Sequence, residues 1–191
     1  LEIQSILERA LRRTRFPISF SAGFHPMPRV SFGRALPVGV ESQAEWLTLT
    51  LREALDPELV LRDLTAHMPR GLKPLRIEVM GVLERITQAR RETFLATFVG
   101  QPEDLARWQA QWVEFLAKDS MLVERKSKKG PKPTDLRPLV AGVQPQPDGS
   151  LLLTLDWTTD YMSPANLVRA VNDPISPLAF HLLKIGQEFA G

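Results

Sequence analysis

Residues 21–42, SAGFHPMPRVSFGRALPVGVES, bring basic and hydroxyl side chains together on a short stretch of chain. Arg29 and Arg34 supply positive charge, and Ser21, Ser31 and Ser42 supply hydroxyl groups. On a backbone with a fixed path, such groups can bind phosphate or the backbone of a partner macromolecule. The spacing matches neither a P-loop nor a dinucleotide-binding fingerprint. A structural crossing between two packed sheets explains the same residues and is slightly favoured on chemistry alone.

The backbone of this segment is predicted to follow one rigid path. Proline fixes φ and removes an N–H donor, whereas glycine permits positive φ or close approach of another group. The residues that shape the predicted loop are Gly23, Phe24, Pro26, Pro28, Gly33, Pro37 and Gly39.

A second charged stretch, residues 124–137 with the sequence ERKSKKGPKPTDLR, indicates either a phosphate-binding loop or a solvated, mobile hairpin tip. Like charges at this density repel one another unless a partner neutralises them. Asp135 and Arg137 bracket Leu136, so on a strand they would share a face and could either clamp a ligand or pair with each other, and the pairing is favoured. The candidate RNA-binding or partner-binding residues of both stretches are Arg29, Arg34, Arg125, Lys126, Lys128, Lys129, Lys132 and Arg137.

Catalysis within the chain is the least favoured hypothesis. None of the three histidines has a second histidine at metal-ligand spacing, so no metal site is predicted. His25 is the one candidate, because the loop can present it as a general base beside Ser21 or Ser31. A metal-independent RNA endonuclease would use it in this way, although that comparison is an analogy between folds.

The composition is that of a globular chain. The 191 residues are 43% hydrophobic and 24% charged, and the formal net charge is only +2. The chain has no cysteine, so it cannot ligate an iron–sulfur cluster through thiolates. No apolar run approaches the roughly 20 residues of a membrane span. These features predict a cytoplasmic protein without a cofactor of its own.

Hydrophobic periodicity predicts an α+β fold made of two similar halves. The first half reads as a helix from residue 1, strands at 17–22, 29–33 and 45–51, a helix opening at Asp56, and a strand at 72–80. The helical start without an N-cap or an initiating methionine indicates a piece of a longer protein.

The second half repeats this rhythm of strands and helices. A strand at 93–99 precedes a helix at 102–119 whose Trp108, Trp112 and Phe115 form a stripe expected to face the core. A basic strand, a hairpin turned at 147–149, a helix after Ser163 and a final strand follow. We therefore expect tandem ferredoxin-like (βαββαβ) units at 1–87 and 88–191, with the first strand of the first unit missing.

The glycine-proline segment, followed by Glu45 and Trp46, resembles the signature of the radical-SAM-linked domain family. The upstream ILERALRRTRFPISF resembles the family's leading helix, and KSKKGPKPTDLRPLV resembles its second, basic motif. His25 stands where the family usually has a small polar residue, and Met27 stands where it has histidine.

These domains have no established reaction and are fused to radical S-adenosylmethionine proteins or encoded beside them. The resemblance therefore implies a partner that carries the iron–sulfur cluster and S-adenosylmethionine. The chain would then be an accessory domain that recognises substrate, with structured RNA as the expected ligand. The alternative is a protein-docking module that depends on Gly23, Phe24 or Phe32.

Overall fold

The computed structural model describes residues 2–81, 88–127, 130–172 and 179–189, which form α-helices and a mixed β-sheet. The chain divides into two units. The first consists of Leu1–Gly33 and Trp46–Ile86, and the second consists of Arg34–Glu45 and Thr87–Gly191.

The first unit is built from two helices and a short strand pair. Its elements are helix α1 (Glu2–Arg13), strand β1 (Val30–Phe32), strand β3 (Leu47–Leu49) and helix α2 (Pro57–His67). Strands β1 and β3 are antiparallel. The Asp56 carboxylate caps α2 by accepting the Glu58 N–H at 3.0 Å, as its sequence predicts. The core is small, with Leu11, Ile18 and Leu64 buried at its centre.

Two predicted strands of the first half differ from the structure. Residues 72–80 form no strand, because Pro74 lacks an N–H donor and the apolar side chains of Leu75 and Val79 are 61% and 79% exposed. The strand predicted at 17–22 is reduced to two isolated bridges, Ile18 to Leu51 and Phe20 to Pro28. Without these strands, the described residues do not establish the tandem repeat.

The second unit contains two α-helices and seven strands among its described residues. Its elements are β2 (Val40–Ser42), β4 (Ala89–Phe98), α3 (Leu105–Leu116), β5 (Leu122–Ser127), β6 (Gly130–Asp135), β7 (Val140–Pro145), β8 (Leu151–Asp156), α4 (Pro164–Val171) and β9 (Phe180–Phe189). Five of the strands form one sheet in the order β2-β9-β4-β8-β7. Strand β2 runs parallel to β9, and the other neighbours are antiparallel. Strands β5 and β6 form a separate antiparallel hairpin.

The core of the second unit lies between the sheet and its helices. Trp108, Trp112 and Phe115 on α3 are almost completely buried, which confirms the predicted core-facing stripe and excludes these rings as a stacking platform for bases. Leu151, Leu153 and Leu155 alternate with less buried residues along β8, as a strand with one buried face requires. This unit therefore supplies the rigid frame for the charged side chains described next.

Candidate anion-binding site

The segment predicted to be one rigid loop is shared between the two units. Residues 21–33 belong to the first unit, whereas Arg34–Glu45 belongs to the second and contributes β2 to its sheet. Gly39 has a φ of 82° immediately before β2, a conformation that a side chain disfavours. The second half of the predicted loop therefore serves as an edge strand.

The first half of the loop is a braced turn. The Ser21 hydroxyl accepts the Met27 N–H at 3.0 Å, and the Ser21 N–H donates to the Met27 carbonyl at 2.8 Å. Gly23 has a φ of 133°, which favours glycine there. The turn holds the Phe24 side chain fully exposed, with His25 exposed beside it.

Arg34 lies over the aromatic rings of the loop at residues 156–161, which begins with the last residue of β8 and leads towards α4. Its guanidinium carbon is 4.1 Å from the centroid of the Tyr161 ring and 5.9 Å from that of Trp157. The two rings pack edge to face with centroids 4.9 Å apart. A cation at this distance from a ring face is attracted by the ring quadrupole. Arg34 therefore joins residues 34–45 to the 156–161 loop.

The β5–β6 hairpin brings two further cations to the same loop. The Lys132 ammonium lies 2.6 Å from Oδ2 of Asp160, and an Arg125 guanidinium nitrogen lies 3.7 Å from Oδ1. Arg125 also donates to the Tyr161 carbonyl oxygen. Arg125 and Lys132 are direct cross-strand partners in the hairpin register. The Lys132 hydrogen bond, which outweighs burial, lowers the pKa of Asp160.

Two arginines at the start of β4 meet the other carboxylate of the loop. Arg91 Nε lies 2.8 Å from Asp156 Oδ2, and Arg90 Nε lies 3.9 Å away and donates to the Thr158 hydroxyl at 3.1 Å. Burial alone would raise the pKa of Asp156, but hydrogen bonds from Thr158 and Arg91 outweigh it and lower the pKa to about 2. Five cations thus surround one loop, and we call Arg34, Arg90, Arg91, Arg125 and Lys132 the cation cluster.

A buried network fixes the loop to the sheet. The Trp157 indole N–H donates to Glu92 Oε2 at 2.8 Å, and the Lys184 ammonium lies 3.2 Å from Glu92 Oε1 and 2.5 Å from Glu45 Oε1. Glu92 and Lys184 are each only 2% exposed. Charges buried this deeply persist only when paired and hydrogen-bonded, as these are.

The phenol of Tyr161 responds to the same surroundings. Burial raises the pKa of Tyr161, the nearby charge of Glu92 raises it further, and the Arg34 guanidinium opposes them. The phenol, which is neutral near pH 7 in any case, therefore stays neutral to a higher pH and can donate a hydrogen bond to an anion.

The structure brings together three of the eight basic residues singled out by sequence, Arg34, Arg125 and Lys132. Arg29 is exposed in the first unit. Arg137 donates to the Val140 carbonyl at 3.0 Å. The side chain of Lys126, and the whole of Lys128 and Lys129, lie outside the described residues.

Asp135 and Arg137 do not lie on one strand as predicted. The Asp135 carboxylate accepts the backbone N–H groups of Met121 at 2.9 Å and Arg137 at 3.0 Å, and these bonds lower its pKa. Arg137 opens a 3-10 turn after β6, and the Asp135 carboxylate accepts the first N–H of that turn. Their contact serves the local fold rather than a ligand.

His25 sits in the exposed part of the braced turn. The Ser21 hydroxyl is engaged by the Met27 N–H, and the Ser31 hydroxyl is hydrogen-bonded to that of Thr48. No hydrogen bond or ion pair of the His25 side chain occurs within the described residues. Over the same ranges, no group of three or more His, Asp or Glu side chains could hold a metal ion.

Sequence reasoning missed most of the groups that complete the site, which are Arg90, Arg91, Glu92, Asp156, Trp157, Asp160, Tyr161 and Lys184. Two signals were present. Glu92 and Lys184 interrupt the apolar alternation of two strands, which marks a buried charge that needs a partner. The run DWTTDY places two carboxylates and two aromatic rings in six residues directly after a strand.

Comparison with known proteins gives a family but no relative of known activity. No curated protein and no solved structure matches the chain. None of the described helices is long and apolar enough to cross a membrane. Residues 1–167, most of the chain, match one bacterial family. The chain therefore belongs to the family described as an uncharacterized protein conserved in bacteria, DUF2344.

Proposed function

We propose that the chain is a cytoplasmic accessory domain that binds structured RNA and presents it to a radical S-adenosylmethionine protein. The observation that carries the RNA proposal is the convergence of Arg34, Arg125 and Lys132 on the 156–161 loop. The radical partner, which would hold the iron–sulfur cluster and S-adenosylmethionine, rests on the motif resemblance alone, because the family match names no partner.

The pairing of β5 with β6 favours a phosphate-binding role for the basic hairpin over the alternative of a solvated, mobile tip. Six residue pairs join β5 to β6, so Arg125 and Lys132 lie side by side on a paired ribbon. A ribbon of this kind holds cations at fixed spacing, which lowers the entropy lost when they bind phosphates. Guanidinium and ammonium groups make the strong, charge-assisted hydrogen bonds that phosphate oxygens accept.

We further infer a ferredoxin-like fold for the second unit. Apart from β2 and the β5–β6 hairpin, its elements follow the order β4-α3-β7-β8-α4-β9. Strand β4 lies between β9 and β8, and β7 lies at the edge, which is the strand order of a split βαβ fold. The cation cluster then lies where the third strand leads into the second helix.

Fluorescence anisotropy of labelled transfer and ribosomal RNA fragments, titrated at several salt concentrations, tests the proposal. We expect binding that weakens steeply as the salt concentration rises. Binding should be at least tenfold weaker in K128E/K129E/K132E, and the slope of log K against log salt concentration should fall by about 0.7 to 0.9 for each lost phosphate contact. The matched control is R52E/R62E/R70E, which makes the same change in charge at exposed sites of the first unit. Equal losses in both variants, or no binding at low salt, would overturn the proposal.

One observation favours a second function, a protein-docking module. Phe24 is fully exposed on a turn braced by Ser21 and Met27, and both Phe20 and Met27 are 48% exposed. An exposed aromatic ring on a rigid turn is the kind of anchor that dominates protein interfaces. The partner in this case is the radical S-adenosylmethionine protein itself.

Biolayer interferometry with the radical protein that is fused to the chain or encoded beside it tests this second function. We expect Phe24→Ala to weaken binding at least tenfold. Val38→Ala, which truncates an equally exposed apolar side chain on residues 34–45, should leave the affinity unchanged. If Phe24→Ala binds as well as the original chain, the docking function is abandoned.

A further inference from the structure

We infer that Asp160 occupies the position of a phosphate between Arg125 and Lys132, and that it thereby restrains RNA binding at the cation cluster. This inference rests on the proposed RNA function and adds an internal competitor to it. The two carboxylate oxygens are divided between the two cations, Oδ2 near Lys132 at 2.6 Å and Oδ1 near Arg125 at 3.7 Å. A phosphate can be shared between two cations in the same way.

Asp160 is held in this position by its own loop. Its Oδ1 accepts the Tyr161 N–H at 2.8 Å, and Arg125 donates to the carbonyl of the same residue. The carboxylate is therefore presented to the hairpin by the backbone that follows it. Little ordering entropy is lost when the contact forms, which makes Asp160 an effective internal competitor.

The contact remains accessible to an incoming anion. The side chains of Arg125, Asp160 and Lys132 are 29%, 27% and 50% exposed. Ion pairs with this much exposure contribute little to stability, so an RNA phosphate can displace the carboxylate without unfolding the unit. Asp160 then lowers the affinity of the site but does not close it.

The competitor also favours one class of ligand. A small anion such as inorganic phosphate or a single nucleotide contacts few of the cations, so it gains little by replacing Asp160. An RNA strand contacts several cations at once and releases counterions condensed on its own phosphates, so it can offset the loss of the Asp160 contact. The site should therefore bind extended phosphodiester chains in preference to inorganic phosphate or single nucleotides.

Anisotropy titrations of Asp160→Asn and Glu124→Gln with the same labelled RNA test the inference. Asparagine keeps an oxygen that can accept the Tyr161 N–H, but it removes the charge that pairs with Arg125 and Lys132. Glu124→Gln is the matched control, because it also removes one negative charge, at an exposed position on β5 of the hairpin that Asp160 contacts. Circular dichroism confirms that both variants are folded.

We expect Asp160→Asn to bind RNA about two- to fivefold more tightly than Glu124→Gln, which is the range that an exposed ion pair implies. If the original chain binds RNA and the two variants bind equally, the inference fails while the RNA function stands. If the original chain and both variants fail to bind, the RNA function itself fails.

Discussion

The guanidinium of Arg34 lies 4.1 Å from the centroid of the Tyr161 ring, and Tyr161 is the only tyrosine in the chain. Arg34 comes from the glycine-proline segment, and Tyr161 ends the loop that also receives the β5–β6 hairpin. The two motifs that look separate in sequence therefore meet at one residue. The pKa of this single phenol therefore reports on the charges that surround it in the cation cluster.

Titration of tyrosinate absorbance should show this electrostatic coupling directly. The Tyr161 pKa should lie above its usual value of about 10, because burial and the Glu92 charge both disfavour tyrosinate. Glu92→Gln should lower the midpoint, whereas Arg34→Gln should raise it, since the guanidinium opposes both effects. Shifts of the same sign in the two variants would contradict the arrangement.

Much of the fold could be predicted from local patterns. The cap at Asp56 fixed the start of α2, the stripe of Trp108, Trp112 and Phe115 fixed the buried face of α3, and alternation located β8 and β9. Each of these signals lies within about a dozen residues. Strand β2 could not be predicted in this way, because only pairing with β9, about 140 residues later, makes it a strand.

The candidate site could also be predicted only in part, from its local features. Arg34, Arg125 and Lys132 could be selected from residue type and local charge density. Their partners could not, because Asp160 lies 28 residues after Lys132 and 35 after Arg125, and ion pairs between distant segments leave no local pattern. The strand predicted at residues 72–80 is wrong for a related reason. These residues pair with no strand within the described part of the chain, and strand propensity alone does not make a strand.

The buried pair of Glu92 and Lys184 should stabilise the folded protein. Lys184→Ala should lower the free energy of unfolding by about 3 to 5 kcal/mol, because it leaves the buried Glu92 charge without a cation. Glu92→Ala should lower it by less, because Lys184 keeps its ion pair with Glu45. Glu188→Ala, which removes an exposed partner 3.9 Å from Arg91, should cost less than about 1 kcal/mol.

Urea unfolding measures these values, and the double variant Glu92→Leu with Lys184→Met separates the causes. Removing both charges should recover part of the loss, since no unpaired charge remains. A double variant less stable than either single variant would mean that the network acts through packing rather than charge.

The backbone conformation at Gly39 should disfavour any side chain there. Gly39→Ala should destabilise the protein by about 1 to 2 kcal/mol, because its φ of 82° is unfavourable for alanine. Gly142→Ala is the control: it lies within β7, and an added Cβ there would meet no atom within 4 Å. Thermal unfolding compares the two, and an equal loss in both would exclude backbone conformation as the cause.

Asp156 should make the protein less stable in acid. Its pKa in the folded chain is about 2, below the ordinary value of 3.8, so its contribution is complete above about pH 4. That contribution, about 2 kcal/mol for a shift of this size, is lost as the pH falls towards 2. The loss occurs because protonation breaks the contacts with Arg91 and Thr158.

Urea unfolding at a series of pH values measures this dependence. Asp156→Asn should be less stable at neutral pH and should lose less stability between about pH 4 and pH 2. Thr158→Val removes the side-chain hydrogen bond that most lowers the pKa, so it should give an intermediate slope. If Asp156→Asn keeps the full acid dependence, other carboxylates are responsible, and the contacts of Asp156 with Arg90 and Arg91 do not stabilise its charged form in solution.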